Sequence, residues 1–116
     1  KNYKFINQLS HGKKILVDAY VPYDSNNKNI SRYKHLALTH KIVNKYQPNI
    51  VVINTKETSL LLDKKNKIKY AENDFFKDYN ERYNFYKKLF FKENFAHENQ
   101  KWTLVKKDKI IVWNID

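Results

Sequence analysis

The sequence predicts an α/β fold: a mixed sheet with a βαβ parallel core, flanking helices and a C-terminal β-hairpin. Three observations predict it. Two short β-branched runs, in KKILVDAYVPYD at Lys13 to Asp24 and QPNIVVINT at Gln47 to Thr55, each follow a turn signal and end in polar side chains. A helical pattern lies between them, the kind of crossover that parallel strands need. The C-terminal WTLVKKDKIIVWNI places β-rich runs on both sides of Lys107 and Asp108, the form of a hairpin.

From Asn2 to His11, Tyr3, Phe5, Ile6 and Leu9 suit one face of a short helix, with Gly12 placed as its C-terminal cap. The first strand is expected from Lys14 to Tyr20. Its Ile15, Leu16 and Val17 are continuous rather than alternating, as in strands buried on both faces, and Pro22 ends it because proline supplies no ladder N–H. Residues 23–30 are a polar loop.

Ser31 is the expected N-cap of a helix over Arg32 to Tyr46, in which Leu36, Thr39, Val43 and Tyr46, flanked by Leu38 and Ile42, form one stripe. Pro48 closes this helix by restricting Gln47. The second strand follows from Ile50 to Asn54. Between Lys56 and Asn73, Leu60, Leu61 and Leu62 precede DKKNK and IKYA, read as a β-hairpin across the polar turn; a helical turn followed by an extended piece is the alternative. Asn73 or Asp74 caps a helix over Phe75 to Phe91, where Phe76, Tyr79, Tyr83, Tyr86 and Phe90 recur at helical spacing. The terminal hairpin occupies 102–114.

The chain has 116 residues and is expected to be a single soluble α/β domain over 1–116. A chain of this size buries roughly two thirds of the surface it would expose unfolded. With no cysteine, disulfides and thiolate metal sites are excluded. No run approaches the roughly 20 apolar residues of a membrane helix. The chain contains no methionine and begins at Lys1, so it is expected to be a piece of something larger.

A net charge of +11 invites a nucleic-acid reading. Against it, nearly all the cations are lysines, with Arg32 and Arg82 the only arginines, whereas base readout and bidentate phosphate recognition favour arginine. The lysines are also spread along the chain, with modest clusters at 64–69 and 106–109. Lys, Asn, Ile, Tyr and Phe share A/T-rich codons, so genome composition explains the balance better than a dedicated polyanion surface. A positive field still favours anionic membranes or substrates.

In open α/β sheets ligands bind beyond the carboxyl ends of the parallel strands. Those ends carry Asp18, Tyr20, Tyr23 and Asp24 after strand one and Asn54 and Thr55 after strand two, the candidate ligand-binding residues. Carboxylates with aromatic neighbours suit a sugar, through hydroxyl hydrogen bonds and ring stacking, or a cation. The plainer reading, which weighs more, has Asp18 capping a nearby N–H and Asp24 starting a turn. His11, His35, His40 and His97 show no metal-site spacing, so surface or half-buried roles are expected for them, and no metal or cofactor is called for. Gly12, the only glycine, leaves no phosphate-cradling loop. The aromatics of the 75–91 helix belong to its core stripe, except Phe75, Phe85 and Phe91, which lie off it; any of these left exposed would dock a partner or a lipid interface.

The helix leading into KILVDAYVPY, the helix ending in YQPNIVVIN, the aromatic YNERYNFYKKLF and the terminal WTLVKKDKIIVWNI together form an order of parts. That order resembles the soluble C-terminal domain of bacterial polytopic membrane glycosyltransferases of the C-type, or dolichyl-phosphate-mannose-mannosyltransferase-like, class, which use polyprenyl-phosphate sugars. The resemblance implies an extracytoplasmic appendage at the bacterial cell membrane. Its partners would be the transmembrane part of the same polypeptide, a lipid-linked sugar or an anionic membrane surface, with nucleic acid less favoured. In that family the catalytic acids lie in a loop between early membrane helices, and no residue here matches them. The domain alone is therefore expected to be inactive, helping to position acceptor or donor. The alternatives are a basic nucleic-acid-binding module and a small metal-dependent phosphoryl-transfer enzyme with Asp18 and Asp24 on the metal.

Overall fold

The structure, a computed structural model, describes residues 2–34, 37–63, 65–66 and 79–116. Its elements are α1 (Asn2–Leu9), β1 (Ile15–Val17), β2 (Ile30–Arg32), α2 (His40–Tyr46), β3 (Ile50–Asn54), α3 (Thr55–Leu62), α4 (Tyr79–Phe91), β4 (Asn94–His97), β5 (Gln100–Lys107) and β6 (Ile110–Ile115). The strands form one mixed six-stranded sheet in the order β2-β1-β3-β6-β5-β4. β1 pairs in parallel with β2 and with β3, Leu16 lying opposite both Ser31 and Val51; β3–β6, β6–β5 and β5–β4 are antiparallel. The expected α/β mixed sheet with a parallel core and a C-terminal hairpin is what forms.

The core has two layers because the parallel strands alternate their apolar side chains to both faces. On one face Leu16, Val51, Ile53, Ile111 and Trp113 pack with Val43 of α2, Leu61 of α3 and Phe85, Tyr86 and Leu89 of α4. On the other, Ile15, Val17, Ile50, Val52 and Val112 pack with Ile6 of α1 and with Val21. The Trp113 indole N–H donates to the Leu89 carbonyl at 3.0 Å, so this ring meets α4 without stranding its polar atom.

Several sequence expectations are corrected. β1 stops at Val17, before Pro22, because the Asp18 carboxylate accepts the Tyr20 N–H at 3.3 Å and turns the chain out of the sheet. Ser31 is no cap. It lies in β2, whose edges are closed by Ile15 N–H to Asn29 O and Tyr33 N–H to Val17 O, both 2.9 Å. The free edge of β1 takes these residues as a strand, and the helix waits for a real cap: Thr39, whose Oγ1 accepts the Ile42 N–H at 3.2 Å. α2 does end before Pro48, though through Gln47 in a left-handed conformation (φ 51°).

Leu60, Leu61 and Leu62 belong to α3 rather than to a hairpin, because Asn54 Oδ1 accepts the Glu57 N–H at 3.1 Å and starts the helix where β3 stops. Lys64 and residues 67–73 of the expected hairpin, the Asn73 or Asp74 cap, Phe75 and Phe76 lie outside the described residues. On α4 the inward face is Tyr79, Arg82, Phe85, Tyr86 and Leu89, so Phe85 is core rather than off-stripe. β4 was not foreseen: its four residues show only alternate partial burial and too little apolar character to read as a strand.

Candidate functional site

The carboxyl ends of β1 and β3 lie side by side where the chain's connections part. β1 leads to β2 on one side, and β3 leads through α3 and α4 to β4 at the far edge. Such a reversal opens a crevice in which α/β sheets bind ligands. Here an open cleft of about 640 Å³ is lined by Tyr20 and Pro22 after β1, Asn54, Thr55 and Lys56 after β3, and Asp108 and Lys109 of the β5–β6 turn.

Local bonds fix its walls. Asn54, besides capping α3, donates from Nδ2 to the Tyr20 carbonyl at 3.5 Å and so ties the two strand ends together. The Thr55 hydroxyl donates to the Asp108 carbonyl at 2.5 Å, and its N–H to the Lys109 carbonyl at 3.1 Å, which pins the hairpin turn to the first residue of α3. The Asp108 carboxylate accepts the Ile110 N–H at 3.2 Å and pairs with Lys106 at 3.3 Å; these contacts, the backbone one first, hold it below the usual carboxylate range. At the cleft mouth stand the Tyr20 side chain, 43 % exposed, and the exposed Lys56 and Lys109. A flat aromatic face beside two ammonium groups suits a ligand with an apolar ring face and an anionic group.

Asp18 lies beneath this cleft, not in its lining, and is 1 % exposed. Its Oδ2 accepts from the Tyr86 hydroxyl at 3.2 Å, and that hydroxyl in turn accepts the Leu38 N–H at 3.0 Å. Burial pushes the Asp18 carboxyl up to about 7, against the lowering effect of its bonds from Tyr20, Tyr86 and Asn54. Burial and the neighbouring Asp18 raise the Tyr86 hydroxyl as well. The group is a buried tie between β1, α4 and the chain before α2.

Of the remaining candidates, Tyr23 is half-buried with the Arg32 guanidinium 4.7 Å from its ring centre, and Asp24 accepts the Asn26 N–H at 3.0 Å in a tight turn. The structure thus brings Tyr20, Asn54 and Thr55 together and leaves Tyr23 and Asp24 outside the cleft lining. Asp18 and Asp24 aim their carboxylates at different partners, and among the described residues no group of three His, Asp or Glu could hold a metal ion. Sequence reasoning missed Pro22, Lys56, Asp108 and Lys109 as cleft residues. The hairpin turn was visible, but only the antiparallel β3–β6 register, with Asn54 opposite Ile110, carries it to the end of β3.

A second polar cluster was also missed. His40, opening α2, and His97, closing β4, stack with ring centres 3.5 Å apart and planes within 5°, beside a groove of about 480 Å³. Burial pushes His40 down to about 3, with His97 and Lys88 adding to the effect. No family model, curated protein or solved structure matches the chain.

Proposed function

We propose that this chain is the non-catalytic appendage of a membrane glycosyltransferase that uses polyprenyl-phosphate sugars, and that its cleft holds the sugar-phosphate portion of the donor or acceptor. The observation that carries this reading is the composition of the cleft: an exposed tyrosine face with Lys56 and Lys109, at the crevice between β1 and β3. A hexose has an apolar face to stack on Tyr20, and a prenyl-linked phosphate has the charge the two lysines match. The element order that resembles the glycosyltransferase C-terminal domain supports the same reading. Asp18, whose carboxyl burial pushes up to about 7, bonds to Tyr86 and so acts on structure rather than on a substrate.

The test is a titration of the purified chain with a water-soluble, short-chain prenyl-phosphate hexose, followed by NMR shifts of the residues around Asn54. Binding is expected to saturate and to weaken roughly tenfold in Tyr20→Ala, the loss of about 1.4 kcal/mol of stacking. No shift at millimolar ligand, or measurable transferase or hydrolase turnover by the chain alone, would refute it.

A further inference from the structure

The sheet end that carries the cleft concentrates another kind of surface. The described residues include four large apolar side chains left exposed: Tyr20, Leu60, Phe91 and Val105. One of them stands at this end and two lie on the flank that leads to it. Tyr20 follows β1, Phe91 (67 % exposed) closes α4 just before β4, and Val105 (50 % exposed) lies on β5 shortly before its turn. Strand directions place the start of β6 and the end of β5 at the same end as the ends of β1 and β3, while β4 begins farther back, Asn94 lying opposite Thr103 and through Asn114 level with Ile50.

Lysines stand among these side chains. Lys56, Lys92, Lys107 and Lys109 are exposed there; Lys107 Nζ lies 4.2 Å from the Phe90 ring centre and donates to the Phe90 carbonyl, which holds the ammonium beside Phe91. Among the described residues, the acids near these lysines are Glu57, Glu93 and Asp108, the last paired with Lys106, against Lys56, Lys92, Lys106, Lys107 and Lys109, so cations are in excess. The register shift between Leu104 and Lys106 sends Lys106 over the Phe5 ring of α1, 4.3 Å from its centre, and Lys107 towards α4, so the turn presents ammonium groups on both sheet faces.

Exposed aromatic and aliphatic side chains mixed with lysines are what the water–lipid boundary selects, the rings entering the headgroup layer while ammonium groups meet lipid phosphates. We propose that this end of the sheet docks on an anionic lipid bilayer, which places the cleft mouth against the headgroups. The inference deepens the reading above and rests on it for the membrane's presence. A prenyl-phosphate sugar would then reach Tyr20, Lys56 and Lys109 from the bilayer without leaving it.

Co-sedimentation of the full chain with vesicles of phosphatidylcholine, with and without phosphatidylglycerol and with no prenyl lipid, tests it. Binding is expected only with phosphatidylglycerol, and Lys56→Ala and Lys109→Ala should each weaken it about fivefold. Phe91→Ser should abolish the part that survives raised salt. Lys45→Ala and Lys101→Ala, at the opposite end of the strands, should leave it unchanged. Equal losses from the two pairs of lysine variants would overturn the proposal, since binding would then follow net charge alone. Failure to sediment while a single-stranded oligonucleotide is bound would also overturn it. A chain that binds these vesicles but ignores the prenyl-phosphate hexose sinks the sugar reading and keeps the surface; the reverse sinks the surface alone.

Discussion

The parallel and antiparallel halves of the sheet are built on different terms. β1 and β3 are buried on both faces, between α1 on one side and α2, α3 and α4 on the other, whereas β4 and β5 alternate partly buried and exposed residues. The buried parallel strands gain the rigidity that lets their ends define a cleft, and the β5–β6 hairpin lends that cleft a turn, with β6 buried as they are and only β4 and β5 keeping one face in water. They also titrate in opposite senses: the buried Asp18 belongs to the parallel half, the depressed His40 to a stack on the edge strand β4.

The largest expected contrast is mechanical. Leu16→Ala, at the fully buried centre of β1, should cost about 2 to 5 kcal/mol through lost transfer energy and a residual cavity. Val105→Ala on β5, half exposed, should stay within about 0.5 kcal/mol. Urea unfolding at constant m-value measures both, and comparable losses would break the distinction between the halves.

The next largest effect is on pH. Asp18 is raised from 3.8 to about 7 in the fold, so the folded chain holds a proton that the unfolded chain releases. Stability is therefore complete below about pH 4 and declines as pH rises through 7, by an amount on the order of 4 kcal/mol. Asp18→Asn should remove that contribution and leave stability rising with pH between 4 and 6.5. Tyr86→Phe removes a hydrogen bond to the carboxylate and the acceptor of the Leu38 N–H. It should cost about 1 to 3 kcal/mol and carry the upper end of the decline above pH 7. Thermal unfolding of the three proteins across pH 4 to 9 checks both; an unchanged pH profile in Asp18→Asn would remove Asp18 as the cause.

The last effect, of similar size, has the opposite sign. His40 is lowered from 6.5 to about 3, so its contribution is present above pH 6.5 and is lost as pH falls through 3. Between pH 4 and 6.5 the slopes from Asp18 and His40 oppose each other and the wild type should look nearly flat. His40→Phe keeps a ring against His97 and Phe85 and should reveal the Asp18 slope there. A wild-type profile that stays flat in this variant would disconnect the histidine stack from stability.

The placement of the elements explains what could be read in advance. Continuous IleLeuVal and IleValValIle runs announce strands buried on both faces, and β3 falls where its pattern put it, at Ile50–Asn54. Ser31 misled because a residue suited to capping a helix is equally at home in a short strand once a neighbouring edge offers hydrogen bonds, as β1 does to β2. The α4 stripe slipped because tyrosines at helical spacing do not say which face turns inward, and the sheet chose Phe85 and Leu89 over Tyr83 and Phe90. Tyr20, Asn54 and Thr55 were legible as strand ends, whereas Lys56, Asp108 and Lys109 joined them only through the β3–β6 pairing.

The sequence by itself determined the element types of β1, β3 and the hairpin, because side-chain periodicity and turn chemistry are local properties of the chain. Only the tertiary structure decided that Asp18 is sealed under Tyr86, that two histidines far apart in sequence share a stack, and that Tyr20, Lys56 and Lys109 meet at one end of the sheet. Burial and long-range register are sums over the whole fold, and no local pattern carries them.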